Sequence, residues 1–191
     1  MEALAQLRSL IAALDETVVN ALCARARLRR SEELYPTGDA PPPEPQNLAT
    51  RFARADTPAA RVGVLRPAYL QAVLPVLCEP GSDPGQPAPF AADAACLDAL
   101  ARRLSLSVHV ATRKREAVPP ELQAALASRD PAQVEMAITF PAVEAEVLAR
   151  VRARAAAAGR PDLPVRIAAI YAEWIIPLSR KIQVHGLLSN A

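Results

Sequence analysis

The stretch Arg103-Leu104-Ser105-Leu106-Ser107-Val108-His109-Val110-Ala111-Thr112-Arg113-Lys114 holds neither proline nor glycine, and its reading decides the fold. From Leu104 to Val110 apolar and polar residues alternate, which taken alone argues for a strand with one buried face. The flanks argue otherwise. Leu97 to Arg103 and Arg113 to Arg115 are good helix formers, and no second convincing strand exists in the chain to pair with this one. The stretch therefore predicts a helix. Eleven residues then complete three turns within about 20°, so Arg103 and Lys114 leave that helix in the same direction. Two cations so placed can grip a dianion.

Working outward, helical periodicity dominates. Leu4, Leu7, Ile11, Leu14, Val18 and Leu22 step by three and four, which predicts a long first helix from about Ala3 to Leu34, stopped by Pro36-Thr37-Gly38. Pro36 to Asn47, with five prolines, reads as a loop, and so does Gly81 to Pro87. Between them Arg66 to Leu74 reads as a helix with Pro67 in its first turn and Pro75 kinking its end. A third helix is expected from about Ala91 to Arg115, with short ones after Pro119-Pro120 and after Pro131. Pro141 and Gly159 bracket a further helix, and the last spans roughly Leu163 to Leu188. No internal repeat is present. In the last helix Ser179 and Gln183 are four apart and share a face.

At 191 residues with 51% apolar composition, the chain is expected to form one domain, residues 1–191, with ample material for a core. Aromatics are only 4% and alanine is abundant, which suits closely packed helices better than a sandwich of sheets. The formal charge of +2 gives no case for nucleic acid or membrane binding, so any special use of cations must be local. Cys23, Cys78 and Cys96 lack C-x-x-C spacing and read as small buried residues, with no metal site and no disulfide framework. Glu2 and Arg8 interrupt any signal-like apolar core, and no apolar run approaches the ~18 residues of a membrane span. A cytoplasmic location is expected, a secreted form with its signal removed staying open.

Phosphate-binding loops, G-x-S-x-G and H-E-x-x-H are all missing, and His109 and His185 lie far apart. Chemistry in this chain must rest on charge placement. With that in view, the residues resemble the all-helical chorismate mutases, most closely the fungal and plant branch. Leu7-Arg8 and the run Leu14-Asp15-Glu16-Thr17-Val18-Val19 resemble the family's opening helix. Cys96-Leu97-Asp98-Ala99-Leu100-Ala101-Arg102-Arg103 resembles its Cys-Leu-x-x-Leu-x-Arg-Arg, with Lys114 eleven residues on and Ala142-Val143-Glu144 thirty residues beyond that. Ile176-Pro177-Leu178-Ser179-Arg180-Lys181-Ile182-Gln183-Val184 resembles the family's Ile-Pro-(Ile/Leu)-Thr-Lys-Glu-Val-Glu-Val. The likeness is loose from Pro36 to Ala95 and close from Cys96 to Leu188.

The resemblance implies an all-α, single-domain helical bundle of the chorismate mutase II type with long N-terminal, central and C-terminal helices, working as a homodimer without a cofactor. It implies rearrangement of chorismate to prephenate in one pericyclic step, with no nucleophile and no proton transfer. By carry-over, Arg8 and Arg103 would pair with the substrate carboxylates. Lys114 would serve a carboxylate and the ether oxygen, Gln183 the ether oxygen, Ser179 a carboxylate, and Glu144 the ring hydroxyl. Phe140 stands where the family has Asn or Asp on the substrate hydroxyl. Pro87-Ala88-Pro89-Phe90-Ala91-Ala92 lacks the Gly-Ser pair and Thr of members controlled by tyrosine and tryptophan, so an unregulated enzyme is expected. The alternative is a related fold in which Phe140 has impaired catalysis and which serves as an interaction or effector protein.

Overall fold

A computed structural model describes residues 2–35, 44–82, 88–116 and 119–189, and among these every regular element is a helix. α1 covers Glu2–Arg25, α2 Pro45–Arg54, α3 Pro58–Ala68, α4 Leu74–Leu77 and α5 Ala88–Glu116. α6 covers Pro120–Ser128, α7 Pro131–Ile138, α8 Pro141–Ala156, α9 Leu163–Ile170 and α10 Ile176–Ser189. The alternating stretch from Leu104 to Val110 lies inside α5, as its flanks predict.

Three boundaries differ from expectation. α1 ends at Arg25, nine residues before Leu34, and only a single tight turn, Glu32–Leu34, follows. The Arg25 guanidinium breaks the continuation by donating to the carbonyls of Leu28, Arg29 and Arg30, and Ser31 takes a left-handed φ of 54°. Of the expected loop from Pro36 to Asn47, residues 36–43 lie outside the described ones, and Pro45 already opens α2. The helix expected at Arg66 begins at Pro58, with Thr57 capping the Ala60 N–H, so Pro67 falls in its interior.

Besides Pro67, Pro75 and Pro177 sit within otherwise continuous helix, and these two are handled alike. Five-residue π-turns, Tyr69–Val73 and Tyr171–Ile175, end two residues before Pro75 and Pro177. In each the next amide reaches back five residues, Leu74 to the Tyr69 carbonyl and Ile176 to that of Tyr171. A proline ring clashes with the carbonyl four residues before it, and the widened turn moves that carbonyl away. Pro75 therefore does not end its helix, and α9 runs through the second π-turn into α10 as one long segment.

α5 is the central element, packed on α1, α3 and α10. Its partner α1 runs antiparallel, since Arg25 meets Asp93 and Asp15 meets Arg103. Leu100 and Leu104 from α5, Val18 and Leu22 from α1, Phe52, Leu65, Ile167 and Ile182 form the main core. A smaller cluster of Ala111, Leu122, Val134, Ile138, Val184 and Leu187 seats α6 and α7 on the far ends of α5 and α10. Gly186 permits that close approach, because a Cβ there would stand 3.1 Å from the Ala111 methyl. α8 folds back on α9 through Gly159, whose φ of 73° matches its place just past a helix end.

Candidate active site

Charges lie on the buried face of both helices in the α1–α5 seam. Along α1 the stripe leads from the exposed Arg8 inward through Ile11, Asp15, Val18, Leu22 and Arg25, and along α5 the inward residues step Asp93, Leu97, Leu100, Arg103, Ser107, Ala111, Lys114. Antiparallel packing matches them in order. Arg25, fully buried, donates from Nε to Asp93 at 2.6 Å. Ten residues along, Asp15 takes Nε of Arg103 at 2.6 Å and Arg150 at 3.1 Å, and accepts a bond from the Tyr171 hydroxyl. Further on, Arg8 lies within electrostatic reach of Lys114, a like charge. Burial first, and then the positive charge of Arg8, push the Lys114 ammonium down to about 8.

α10 supplies the other wall. Lys114 Nζ donates to Gln183 Oε1 at 2.9 Å and lies 3.4 Å from the Ile138 carbonyl. Gln183 Nε2 leans on the Ser179 carbonyl and hydroxyl at 3.3 and 3.5 Å, and Ser179 Oγ is 2.8 Å from Ser107 Oγ on α5. The Phe140 ring, half exposed at the head of α8, lies 5.7 Å from the ammonium, within cation–π range. No carboxylate pairs with Lys114 or Arg8 among the described residues. One turn into α8, Glu144 is held by Arg180 Nη1 at 3.0 Å.

Of the residues picked out in the sequence, the structure brings Lys114, Gln183, Ser179 and Phe140 into direct neighbourhood, with Arg8 within electrostatic reach. Arg103 lies three turns back along α5. Its Nε edge is occupied by Asp15, while no other described side chain hydrogen-bonds its terminal nitrogens. Glu144 is joined to the group through Arg180, next in sequence to Ser179. Asp15, Arg150, Tyr171 and Arg180 were not singled out by the sequence reading. The signal for Asp15 was present: it falls four residues after Ile11 and three before Val18, on the apolar stripe, where an unpaired charge would be expensive. The stripe thus runs inward through the buried Asp15, whereas Leu14 is only half buried.

An ammonium without a carboxylate partner, a guanidinium fork and an amide on neighbouring helices are the donor types that suit a compact, doubly negative molecule and an oxygen that gains charge. His109 is exposed on α5, and burial beside Arg54 lowers the pKa of His185, so neither imidazole belongs to this group. Cys23, Cys78 and Cys96 are buried free thiols, as expected. No described helix is long and apolar enough to cross a membrane.

Residues 91–184, from the first turns of α5 to Val184 on α10, match the family profile described as chorismate mutase type II. Chorismate mutase 2 of Arabidopsis thaliana is 31% identical over 136 residues, 63% of this chain and 51% of the relative. The chorismate mutase of Schizosaccharomyces pombe is 29% identical over 133 residues, 64% of this chain and 53% of the relative. The chain thus spans about half the length of the curated relatives it matches. The fold agrees over nearly the whole chain. A Candida albicans chorismate mutase solved in complex with L-Trp superimposes with a TM-score of 0.77 at 21% identity, covering 97% of this chain and 90% of that one. The chloroplast chorismate mutase of Zea mays does so with a TM-score of 0.77 at 21% identity, covering 96% and 94%.

Proposed function

We propose that this chain, a relative of the all-helical chorismate mutases of plants and fungi, converts chorismate to prephenate. The observation that carries the reading is the like-charged end of the α1–α5 seam, where a part-buried Lys114 has no carboxylate partner among the described residues and feels the positive charge of Arg8. A structure keeps such an arrangement at a cost, and a dianionic substrate removes it. The reaction needs no nucleophile. The enzyme selects a near-attack conformer and stabilises negative charge that builds on the ether oxygen as the carbon–oxygen bond breaks.

In this reading the terminal fork of Arg103 and the guanidinium of Arg8 bind the two carboxylates. Asp15 keeps the Arg103 fork turned inward by engaging its Nε side. Lys114 serves a carboxylate and the ether oxygen, and Gln183 has two tasks. Its Oε1 steadies the ammonium, while its Nε2, on long bonds to Ser179, is free to turn toward the ether oxygen. Ser179 offers its hydroxyl to a carboxylate when Ser107 donates to it. Glu144 accepts the ring hydroxyl, and Phe140 closes the mouth in place of a polar group.

Purified protein should consume chorismate and produce prephenate at a rate many powers of ten above the spontaneous one. A rate equal to the spontaneous one would remove the proposal. We further propose insensitivity to tyrosine and tryptophan, on the strength of Pro87 to Ala92, although a solved Arabidopsis neighbour carries tyrosine in an allosteric site. A homodimer, supported by the family resemblance, and a cytoplasmic setting, supported by a relative named cytosolic although another is named chloroplastic, complete the proposal.

A further inference from the structure

Beside the substrate pocket a row of four alternating charges links three helices. Glu144 on α8 meets Arg180 Nη1 at 3.0 Å, and Arg180 Nε lies 3.5 Å from Glu135 Oε1 on α7. Glu135 Oε2 is 3.6 Å from Lys181 Nζ. Arg180 Nε is buried, and the contact to Glu135 is too long to count as a hydrogen bond, so Glu135 acts on it through charge. On the far side a cleft of about 440 Å³ opens between Ala132, Glu135, Met136, Thr139 and Arg180.

We infer that Arg180 and Glu135 are positioning residues: Glu135 fixes Arg180, and Arg180 fixes the Glu144 carboxylate at the edge of the pocket. The inference rests on the reading of Glu144 as acceptor for the ring hydroxyl. Part-exposed ion pairs between helices contribute little to stability, and we assign this row a positioning role instead. A carboxylate accepts a hydroxyl hydrogen well only while ionised, since a protonated one is also a donor. Without the guanidinium between them, Glu135 and Glu144 face each other as like charges, and each favours protonation or withdrawal of the other. Arg180 prevents this with two different edges of one planar group, which a point charge could do less well. The cleft keeps the Glu135 side wet, so substitution there leaves no empty cavity in the core.

The row acts equally on bound substrate and transition state, because the ring hydroxyl does not react. Its loss should therefore appear in KM. With the full chain and chorismate, Arg180→Met should raise KM about tenfold and leave kcat within about threefold. Glu135→Gln should raise KM about threefold, and Arg180→Lys, a point charge, should recover only part of the loss seen in Arg180→Met. Two competitive dicarboxylates supply the readout that a structural role would not move. One carrying the ring hydroxyl should lose about tenfold in affinity for the Arg180→Met protein, and one lacking it should bind as to the parent. Equal losses for both would mean that Arg180 binds carboxylate itself or supports the pocket generally, and an unchanged KM in both Arg180→Met and Glu135→Gln would also overturn the inference. A parent without turnover would instead remove the proposed reaction, and this inference with it.

Discussion

At one end of the seam between α1 and α5, Arg25 donates to Asp93, and the same carboxylate accepts the hydroxyls of Tyr35 and Tyr69. The remaining guanidinium donors find three carbonyls and the Cys78 sulfur. Burial and the Asp93 charge push both tyrosines well above their ordinary range, so neither titrates near neutrality. At the other end Lys114 feels the like charge of the exposed Arg8. Both ends use charged residues on the same two helices, but only the first is satisfied from within. Asp15 with Arg103 stands between them and shares both characters, paired through Nε and open at the fork. A charge network completed by the protein holds the fold, and one left incomplete is completed by a ligand.

The largest effect should come from the open end. Lys114→Ala should lower kcat by about three powers of ten while the unfolding midpoint stays level or rises, because a desolvated ammonium beside Arg8 is removed. Linkage gives the same sign. Folded Lys114 loses its proton near 8 and the unfolded lysine near 10.5, so its contribution to stability is least favourable below about pH 8 and improves as pH rises toward 10.5. A midpoint that collapsed with activity would erase the contrast between the two ends. Arg103→Ala should lose turnover and also about 1.5–3 kcal/mol of stability, measured by denaturant unfolding, since buried Asp15 keeps only Arg150 and Tyr171.

The closed end should respond in the opposite way. Asp93→Asn leaves Arg25 buried with an uncompensated charge and should cost about 3–5 kcal/mol by urea unfolding, with near-normal turnover in whatever fraction stays folded. Replacing Arg25 and Asp93 together by Met and Leu should cost less than either change alone. A double variant worse than the sum would show that the pair does more than satisfy itself.

Gln183→Glu sharpens the comparison by placing a carboxylate beside Lys114. An ion pair would form where none is present, and the amide donor would be gone. Turnover should be poor at neutral pH and recover on acidification, as the protonated acid again donates, whereas the parent amide does not titrate. Identical pH profiles would end the role given to Gln183. The smallest effect is expected at Phe140. Exchange for Asn should lower KM by up to about fivefold, the equivalent of one hydrogen bond, partly offset by the lost ring–ammonium contact. A raised KM would mean that the pocket is built around the ring.

The helical class and the central helix through Arg103 and Lys114 were legible because they follow from periodicity and spacing along single helices, whereas the meeting of Lys114 with Gln183 was expected only through the family resemblance. The early end of α1 was not, because it is fixed by Arg25 turning onto carbonyls that follow it, a contact that spacing does not reveal. α2 and the start of α3 were hidden in a proline-rich region, where first-turn proline reads the same as a breaker until the capping residue is seen. Asp15, Arg150 and Tyr171 come from three distant segments, and nothing in its own spacing marks Arg180. Their roles exist only once the helices are docked. What the sequence did offer, and periodicity counts of apolar residues pass over, was the set of charges standing on the apolar stripes.

The most direct test is the charge on Lys114 itself, followed by NMR of its Nζ group as pH is raised, first in the free protein and then with a bound dicarboxylate that mimics the substrate. The account predicts titration near 8 in the free protein and a rise toward or beyond the ordinary lysine value of 10.5 when the two carboxylates complete the site, with kcat/KM falling above about pH 8 and kcat holding to higher pH. An ordinary value in the free protein, or one that does not move on binding, would contradict it.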